Sequence, residues 1–316
     1  MQRLRCAQRC WRKVCKPFAA VMLGFVNLFK PAGPTSTQAG VRVRKIYSRF
    51  GGTKLPLGHL GTLDPMAAGV LPLALGKATR LIPLMEDRRK SYAFTLVLGQ
   101  ATSTGDAAGD VVRQAPVPPD ARERLEAVLP TFVGAIEQIP PMYSALHVAG
   151  ERLYTIARRG ETVERPPRKI TIYALTLLSV DPACAAHGPT ARLALACSEG
   201  TYVRTLCEDL ATAIGTVAHM GALLRDASGP FVLYESLTFE EIEADPQAAL
   251  IAPERVIPFP TIVLDGRGAT DFRAGRLVPL PAGSAAKHLF VRDSTRALVG
   301  VGEAVGALLA PRKVFV

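Results

Sequence analysis

Residues 58–72 read GHLGTLDPMAAGVLP, a glycine-rich turn that leads into an apolar run. Asp64 in this turn is the first carboxylate of the chain, and the next is Glu86. Loops at the edge of a buried segment are common places for catalytic groups, and basic surroundings favour an ionised carboxylate. The Asp64-Pro65 pair also fits a helix N-cap followed by proline. Spacing alone favours the N-cap and does not identify a reaction.

Positive charge is concentrated at the beginning of the chain. Residues 1–63 contain twelve lysines and arginines and no acidic residue, whereas the rest holds 26 basic and 27 acidic residues. The net charge of the whole chain is +11. A basic surface attracts polyanions, because the phosphates that it neutralises release counterions. The distribution indicates an anionic partner, and a basic tail without a specific partner is the alternative.

The first 21 residues carry six of these positive charges and have three open interpretations. A basic stretch before a short apolar run resembles a signal peptide, but no A-x-A cleavage pattern follows, and the run is too short to cross a bilayer. The segment is a disordered basic arm, an organellar transit peptide, or a region upstream of a true start at Met22, and the last two are favoured. We predict a cytoplasmic protein, or an organellar one if residues 1–21 are a transit peptide.

Cysteine and histidine spacing predicts no metal site. The six cysteines form no C-x-x-C pair, and no histidine near the first three has zinc-finger spacing. Scattered cysteines in a basic chain suit a reducing compartment. The patterns of a phosphate-binding P-loop, a nucleophile elbow and a zinc metalloprotease are missing from the sequence as well. We therefore expect neither a metal nor a cofactor.

Hydrophobic periodicity predicts a mixed α+β architecture. Helical spacing is found at residues 35–51 and 120–129, and a strand is expected at 92–98. The pattern at 238–241 fits a capping box. Helices and strands alternate without the regular spacing of a doubly wound sheet, which indicates a mixed sheet with helices packed on it. Prolines cluster after residue 250, and a small β-rich domain is expected from there to the end.

Several ordered motifs make the sequence similar to the TruB-type tRNA pseudouridine synthases over about residues 24–237. The segment 58–72 resembles the family signature, whose aspartate is catalytic, and 30–36 resembles the opening motif. The other matching segments are Lys90-Ser91-Tyr92, 140–145, 150–154, 200–205 and 219–225. The resemblance implies an α+β pseudouridine-synthase fold with a mixed, largely antiparallel sheet and flanking helices.

The resemblance implies an isomerase that converts the uridine at position 55, in the T-loop of tRNA, to pseudouridine. Asp64 matches the catalytic carboxylate, Arg204 the arginine that pairs with it, and Tyr92 the tyrosine that stacks on the uracil. Whether the aspartate adds covalently or acts as a base at the sugar stays open. The alternatives are a surface arginine on a helix for Arg204 and an aromatic core residue for Tyr92.

The implied reaction needs a uridine that is flipped out of the RNA. His59 matches the histidine that fills the vacated space, and Leu223 resembles an apolar wall of the pocket. A histidine bonded within its turn and a core leucine are the alternatives. Further RNA or substrate contacts are expected from other residues of the matched motifs: Lys30, Tyr143, Arg152, Tyr154, Tyr202 and Arg225.

The implied organisation has three parts. They are a basic extension at 1–22, a catalytic domain at 23–252 with an RNA-binding insertion at about 140–170, and a PUA-like RNA-binding domain at 253–316. The expected partner is tRNA, bound through its T-loop and stem. We expect a monomer with no membrane contact and no obligate protein partner.

Two residues depart from the usual pattern of the family. His147 stands where lysine is common, and Leu224 stands where arginine is common, so one phosphate contact and one RNA or structural contact are in doubt. Two other functions stay open. One is the same chemistry on rRNA or in a guide-RNA complex, and the other is an RNA-binding or RNA-folding protein without catalysis.

Overall fold

The computed structural model describes residues 22–51, 55–144, 146–148, 150–182, 188–281 and 286–315. Of residues 50, 147, 148, 152 and 158 it describes the backbone only. The predicted basic extension therefore lies outside the described residues apart from Met22, and so do the side chains of His147 and Arg152.

Strands make up most of the regular structure in the described residues. In chain order they are β1 (Leu23–Lys30), β2 (Leu57–His59), β3 (Ala68–Gly76), β4 (Lys90–Leu98), β5 (Gln100–Thr102), β6 (Val111–Gln114), β7 (Gly134–Gln138), β8 (His147–Val148), β9 (Glu151–Arg152), β10 (Arg168–Asp181), β11 (Thr190–Cys197), β12 (Ala218–Ser228), β13 (Phe231–Val232), β14 (Thr261–Val263), β15 (Val278–Pro279), β16 (His288–Arg292), β17 (Leu298–Val305) and β18 (Leu308–Val314).

The helices are fewer and mostly short. The α-helices are α1 (Ser36–Gly51), α2 (Ala121–Val128), α3 (Leu153–Arg158), α4 (Val203–Ala213), α5 (Phe239–Ala244), α6 (Pro253–Val256) and α7 (Gly266–Arg273). Three 3-10 segments add to them at Lys77–Leu84, Leu129–Phe132 and Leu233–Glu235. No helix in the described ranges is long and apolar enough to cross a membrane.

The larger sheet has the strand order β1-β3-β12-β4-β11-β10-β7, with β2 added to β3 and β13 added to β12. Its described pairings are antiparallel except for that of β3 with β12, which is parallel. This is the mixed, largely antiparallel sheet that the sequence predicts. Strands β3, β12 and β4 are neighbours near its middle, so the residues at their ends can meet across the sheet.

The main hydrophobic core lies between one face of this sheet and helices α1, α2, α4 and α5. Side chains alternate along β3, as the pleat of a strand requires. Leu71, Leu73 and Leu75 belong to the core on the helix side, and Val70 and Ala74 belong to a second cluster on the opposite face. Full burial of each such leucine stabilises the fold by about 1.5–3 kcal/mol.

The smaller sheet has the order β14-β16-β17-β18-β15 and lies entirely in the C-terminal part of the chain. Phe272 of α7 packs into the apolar cluster on this sheet. Phe290, Val301 and Phe315 belong to the same buried cluster as Phe25 of β1. Buried apolar contacts therefore join the two sheets.

Local sequence patterns predict several of these elements well. The structure confirms the helices expected at 35–51 and 120–129 as α1 and α2, and the strand at 92–98 lies within β4. The capping box is also confirmed, because Thr238 Oγ1 accepts from Glu241 N while the Glu241 carboxylate accepts from Thr238 N.

The N-cap interpretation of Asp64 is wrong. A short turn follows Asp64, and the chain then enters strand β3 instead of a helix. Gly69 explains how β3 comes so close to β12. It has a φ of +109°, and a Cβ at this position would lie 2.2 Å from the carbonyl oxygen of Arg225. Glycine therefore permits the parallel pairing that ends beside the Asp64 turn.

Candidate active site

Residues 60–67, between β2 and β3, form the turn that carries Asp64, and we name this segment the Asp64 loop. Backbone bonds hold it, with Ala67 N donating to Asp64 O at 3.1 Å and Gly33 N donating to Pro65 O at 2.8 Å. The buried hydroxyl of Ser36, at the start of α1, donates to Leu63 O at 2.9 Å and accepts from Leu63 N at 2.8 Å. The loop is thus fixed to the first turn of α1.

Lys30, the last residue of β1, supports the Asp64 loop. Its side chain is completely buried at the end of β1, and Nζ donates to the carbonyl oxygens of Pro31 and Pro34 at 2.9 Å and of Pro65 at 3.3 Å. Burial lowers the pKa of Lys30 to about 8. The sequence predicts an RNA contact for Lys30, but its burial corrects this expectation, because the ammonium has no open path to a phosphate and instead positions the loop.

Arg225 supports the same loop from β12. It is completely buried, and its guanidinium donates to Val70 O at 2.8 Å, Gly61 O at 3.0 Å and Thr62 O at 3.4 Å. The sequence predicts an RNA contact for Arg225 as well. The structure corrects this expectation, because the guanidinium donates to main-chain carbonyls inside the protein. Arg225 joins the Asp64 loop to the sheet.

Arg204 forms an ion pair with Asp64, with 3.0 Å between Arg204 Nε and Asp64 Oδ2. It lies in the first turn of α4, and its side chain is 6% exposed, so it is not a surface arginine. Its two other nitrogens donate to Thr104 O at 3.1 Å and Tyr143 O at 2.8 Å. Asp64 remains 33% exposed, so part of the carboxylate faces the open space beside it.

The protonation of Asp64 depends on opposing influences. Burial raises the pKa of the carboxyl group above its usual value, the charge of Arg204 lowers it, and the charge of Asp106 raises it. Arg204 therefore favours the ionised form, which both a nucleophile and a base require.

Asp106 is a residue of the site that the sequence analysis missed. Its buried carboxylate accepts from Thr104 Oγ1 at 2.6 Å and Ala108 N at 3.0 Å, and its second oxygen lies 3.9 Å from Arg204 Nε. Met220 N donates to Gly105 O at 3.0 Å and ties this loop to β12. The stretch TSTGD at 102–106 is the available signal, but alone it indicates only a turn.

A cavity of about 220 Å³ opens beside the exposed part of Asp64. Its lining residues are Thr62, Leu63, Asp64, Lys90, Tyr92, Ser144, Gly200, Thr201, Tyr202, Val203, Arg204, Met220 and Leu223. Drug-sized ligands occupy larger pockets, of about 300–1,000 Å³, so this volume suits a single nucleoside. The cavity brings together five of the predicted residues, from segments that are far apart in sequence.

Three of these five residues form walls of the cavity beside the ion pair. Tyr92 on β4 and Leu223 on β12 are buried in the main core and also line the cavity. Each is therefore a core residue, as the alternative expected, and a cavity residue as well. Burial raises the pKa of the Tyr92 hydroxyl, which therefore keeps its proton at neutral pH. The Gln138 side chain fixes Tyr202 by two bonds to its backbone, at 2.8 and 3.0 Å.

His59 lies outside this cavity. It lines a second, adjacent cavity of about 150 Å³, and Lys90 is in the wall of both. Among the described residues, His59 Nδ1 has no hydrogen-bond partner. Burial lowers the pKa of His59, and the positive charges of Arg225 and Lys90 lower it further, so the imidazole is neutral at physiological pH.

The predicted insertion at 140–170 contributes a small hairpin of β8 and β9 followed by α3. Tyr143 reaches the site with its carbonyl, which binds Arg204, and its ring meets Tyr154 edge-on at 6.5 Å. Tyr154 is 41% exposed. On the surface, Arg159 pairs with Glu151 and Glu161.

Comparison with known proteins gives two matches to family models. Residues 49–203 match the N-terminal domain of the TruB family of pseudouridylate synthases, and residues 204–253 match the C-terminal domain of tRNA pseudouridylate synthase B.

Curated relatives match over most of the chain. The tRNA pseudouridine synthase B of Pseudomonas paraeruginosa is 40% identical over 92% of this chain and 95% of its own. That of Geobacillus kaustophilus is 44% identical over 83% of this chain and 92% of its own. Among solved structures, a Cbf5-Nop10-Gar1 complex contains a chain of the same fold, with a TM-score of 0.64, 24% identity, and coverage of 96% of this chain and 87% of that chain.

Proposed function

The chain belongs to the TruB family, whose members are isomerases that convert a uridine of tRNA to pseudouridine, and on that premise we propose that it modifies the uridine at position 55 in the T-loop, with Asp64 as the catalytic carboxylate. The observation that carries the proposal is the Asp64–Arg204 ion pair at the wall of a nucleoside-sized cavity. Arg204 orients the carboxylate, and its remaining donors are fixed by main-chain carbonyls.

The reaction exchanges one bond for another within the same nucleoside. The bond between ribose C1′ and uracil N1 breaks, the base turns, and uracil C5 bonds to C1′. C5 then loses its hydrogen as a proton and N1 gains one, so no further reactant is needed. Asp64 acts at the ribose, either by adding to C1′ and leaving again when C5 bonds there, or by removing a proton from the sugar and returning it when C5 bonds to C1′. Tyr92 stacks on the uracil and Leu223 forms the apolar wall opposite the polar groups.

A uridine in a folded loop reaches this cavity only after it leaves the base stack, which costs a few kcal/mol. His59 is neutral and lines the adjacent cavity. Its imidazole is assigned to the space that the flipped base leaves in the RNA. Further RNA contacts are proposed for Tyr143, Arg152, Tyr154 and Tyr202, because aromatic and basic side chains suit unstacked RNA.

We also propose the division into a catalytic domain at 23–252 and a PUA-like RNA-binding domain at 253–316. The smaller sheet falls within the second range. The protein is proposed to work as a cytoplasmic monomer on the T-loop and stem of tRNA. These proposals are separate from the chemistry, because the residues that line the cavity all precede residue 252.

The test uses tRNA tritiated at uridine C5, from which pseudouridine formation releases tritium to water. The wild-type protein should release it, and Asp64→Asn should not, because an amide neither adds to C1′ nor takes a proton at neutral pH. Asp110→Asn makes the same change at an exposed aspartate and should behave as wild type. Release that persists in Asp64→Asn would refute the role of Asp64.

The position of the target uridine needs its own experiment. Pseudouridines are mapped in tRNA and rRNA from a strain that lacks the gene. Loss of the modification at position 55 alone supports the proposal, whereas a retained T-loop site and a lost rRNA site support the alternative substrate. A non-catalytic RNA-binding protein does not fit a member of an isomerase family.

A further inference from the structure

Lys90 lies between the two cavities and lines both of them. It is the first residue of β4 and stands two positions before Tyr92, so the two side chains point to the same face of the strand. Its ammonium packs against the Asp64 loop, since a Cβ on Gly61 would lie 2.7 Å from Lys90 Nζ. Glycine at position 61 leaves the room that the ammonium occupies.

The other cations of the site have their donors in use. Arg204 binds Asp64 and two carbonyls, and Lys30 and Arg225 each bind three carbonyls. In the part of the chain that the structure describes, the Lys90 ammonium has neither a hydrogen bond nor an ion pair. A half-buried group with three N–H donors and no acceptor fits an oxygen that the substrate brings.

We propose that Lys90 is a catalytic residue that donates a hydrogen bond to a carbonyl oxygen of the bound uracil and stabilises the negative charge that forms when the base separates from the ribose. The proposal rests on the proposed function, which places the uracil beside Tyr92. It gives Lys90 a role in the reaction in addition to its place in the cavity wall.

The chemistry creates a negative charge that such a group would stabilise. When the C1′–N1 bond breaks, both electrons stay with the uracil and spread over N1, O2 and O4, while the electron-poor C1′ faces Asp64. The charge disappears when C5 bonds to C1′, C5 releases its proton and N1 gains one. Lys90 keeps its own proton throughout. A fixed donor aimed at developing charge in a water-poor site gives large rate effects.

The ionisation of Lys90 gives the proposal a signature in pH. Burial lowers its pKa to about 8, Arg225 also lowers it, and Cys197 and Glu199 oppose them. His59 faces the same ammonium from β2 and is neutral at physiological pH. The ammonium is the active form, so kcat/KM, which reports the groups of the free enzyme, should fall as pH rises through about 8.

A phosphate of the RNA backbone could supply an anionic oxygen as well. The two sources differ in when the charge exists. A phosphate is charged before and during the reaction, so its contact contributes to affinity, whereas the charge on uracil forms only as the bond breaks and affects the rate of bound substrate. Affinity and saturated rate therefore separate them.

The experiment compares Lys90→Met and Lys90→Arg with Lys45→Met, which removes the same charge from an exposed position on α1. Tritium release is measured in single turnovers with saturating enzyme, and the tRNA dissociation constant is measured at several salt concentrations. Lys90→Met should lower the saturated rate by about 10²–10³-fold, as removal of one oxyanion donor does, without a change in the dissociation constant. Lys90→Arg should recover part of the rate and move the alkaline fall of kcat/KM to higher pH. Lys45→Met should keep the wild-type saturated rate.

Three outcomes would overturn the proposal. If Lys90→Met binds tRNA more weakly and with less salt dependence, and its saturated rate is unchanged, Lys90 contacts a phosphate. Wild-type rate and binding in Lys90→Met assign it no role. If Lys90→Met does not fold, Lys90→Arg decides, and an alkaline fall at the wild-type pH counts against the proposal. Absence of tritium release by the wild type is a different result, which refutes the proposed function itself.

Discussion

The Asp64 loop and the surface of the insertion at 140–170 both use positively charged side chains, but in opposite ways. Lys30 and Arg225 are completely buried beside the loop, and each donates to three main-chain carbonyls. Arg159 in the insertion is exposed and pairs with two glutamates on the surface. Exposed pairs contribute little to stability, whereas a buried acceptor that loses its donor is costly.

This difference indicates a division of work between the two regions. Catalytic groups must be held close to their productive geometry, and the buried cations hold the loop of Asp64, the proposed catalytic group. A surface that grips a flexible RNA gains from side chains that can exchange partners with phosphates. Breaking each kind of contact should therefore give effects of very different size.

The largest effect is expected from Arg204→Met, which removes the partner of Asp64. Asp64 then loses the group that orients it, and single-turnover tritium release should fall by about 10²–10³-fold, the effect of removing one preorganised electrostatic contact from an active site. Because Arg204 lowers the pKa of Asp64, its removal raises that pKa, and the ionised carboxylate is lost at a higher pH. The pH below which kcat/KM decreases should therefore be higher than in the wild type. An unchanged pH would contradict the pairing.

A large loss of stability is expected from Arg225→Met. Three carbonyls lose their donor, and an unmet buried acceptor costs about 1–3 kcal/mol, so the free energy of unfolding should fall by about 3 kcal/mol or more. Urea denaturation followed by circular dichroism measures it. Arg276→Met is the control, because Arg276 is exposed. Equal midpoints for the two variants would show that the carbonyl contacts do not hold the loop.

A smaller and opposite effect is expected from Asp106→Asn. The negative charge of Asp106 raises the pKa of Asp64, and asparagine removes that charge while keeping an oxygen for Thr104 and Ala108. The pH below which kcat/KM decreases should be lower than in the wild type. This shift is opposite in direction to the shift expected for Arg204→Met. A shift in the same direction in both variants would show that the electrostatic account of Asp64 is wrong.

The smallest effect is expected from Arg159→Gln. The side chain is exposed and its partners are exposed glutamates, so water replaces the lost contacts. The urea midpoint should not differ from that of the wild type. A clear fall in the midpoint would mean that the insertion is held as firmly as the Asp64 loop.

The sequence predicts the fold and the residues of the cavity better than the supports of the site. Matched motifs identify Asp64, Tyr92 and Arg204, and the structure brings all three to one cavity. Asp106 was missed because a turn sequence does not reveal that a distant arginine lies beside it. Lys30 and Arg225 were expected to contact RNA because they lie in matched motifs, and a motif does not show whether a cation is exposed or buried.

The use of main-chain carbonyls as partners has a consequence for which substitutions the protein can accept. Every residue has a carbonyl, so Pro31 and Pro34 can be replaced without removing the acceptors that Lys30 uses, provided that the chain keeps its path. Lys30 itself has no such freedom. In a library of single variants, intolerance should therefore concentrate on the donor positions, in contrast to side-chain ion pairs, where both members are constrained.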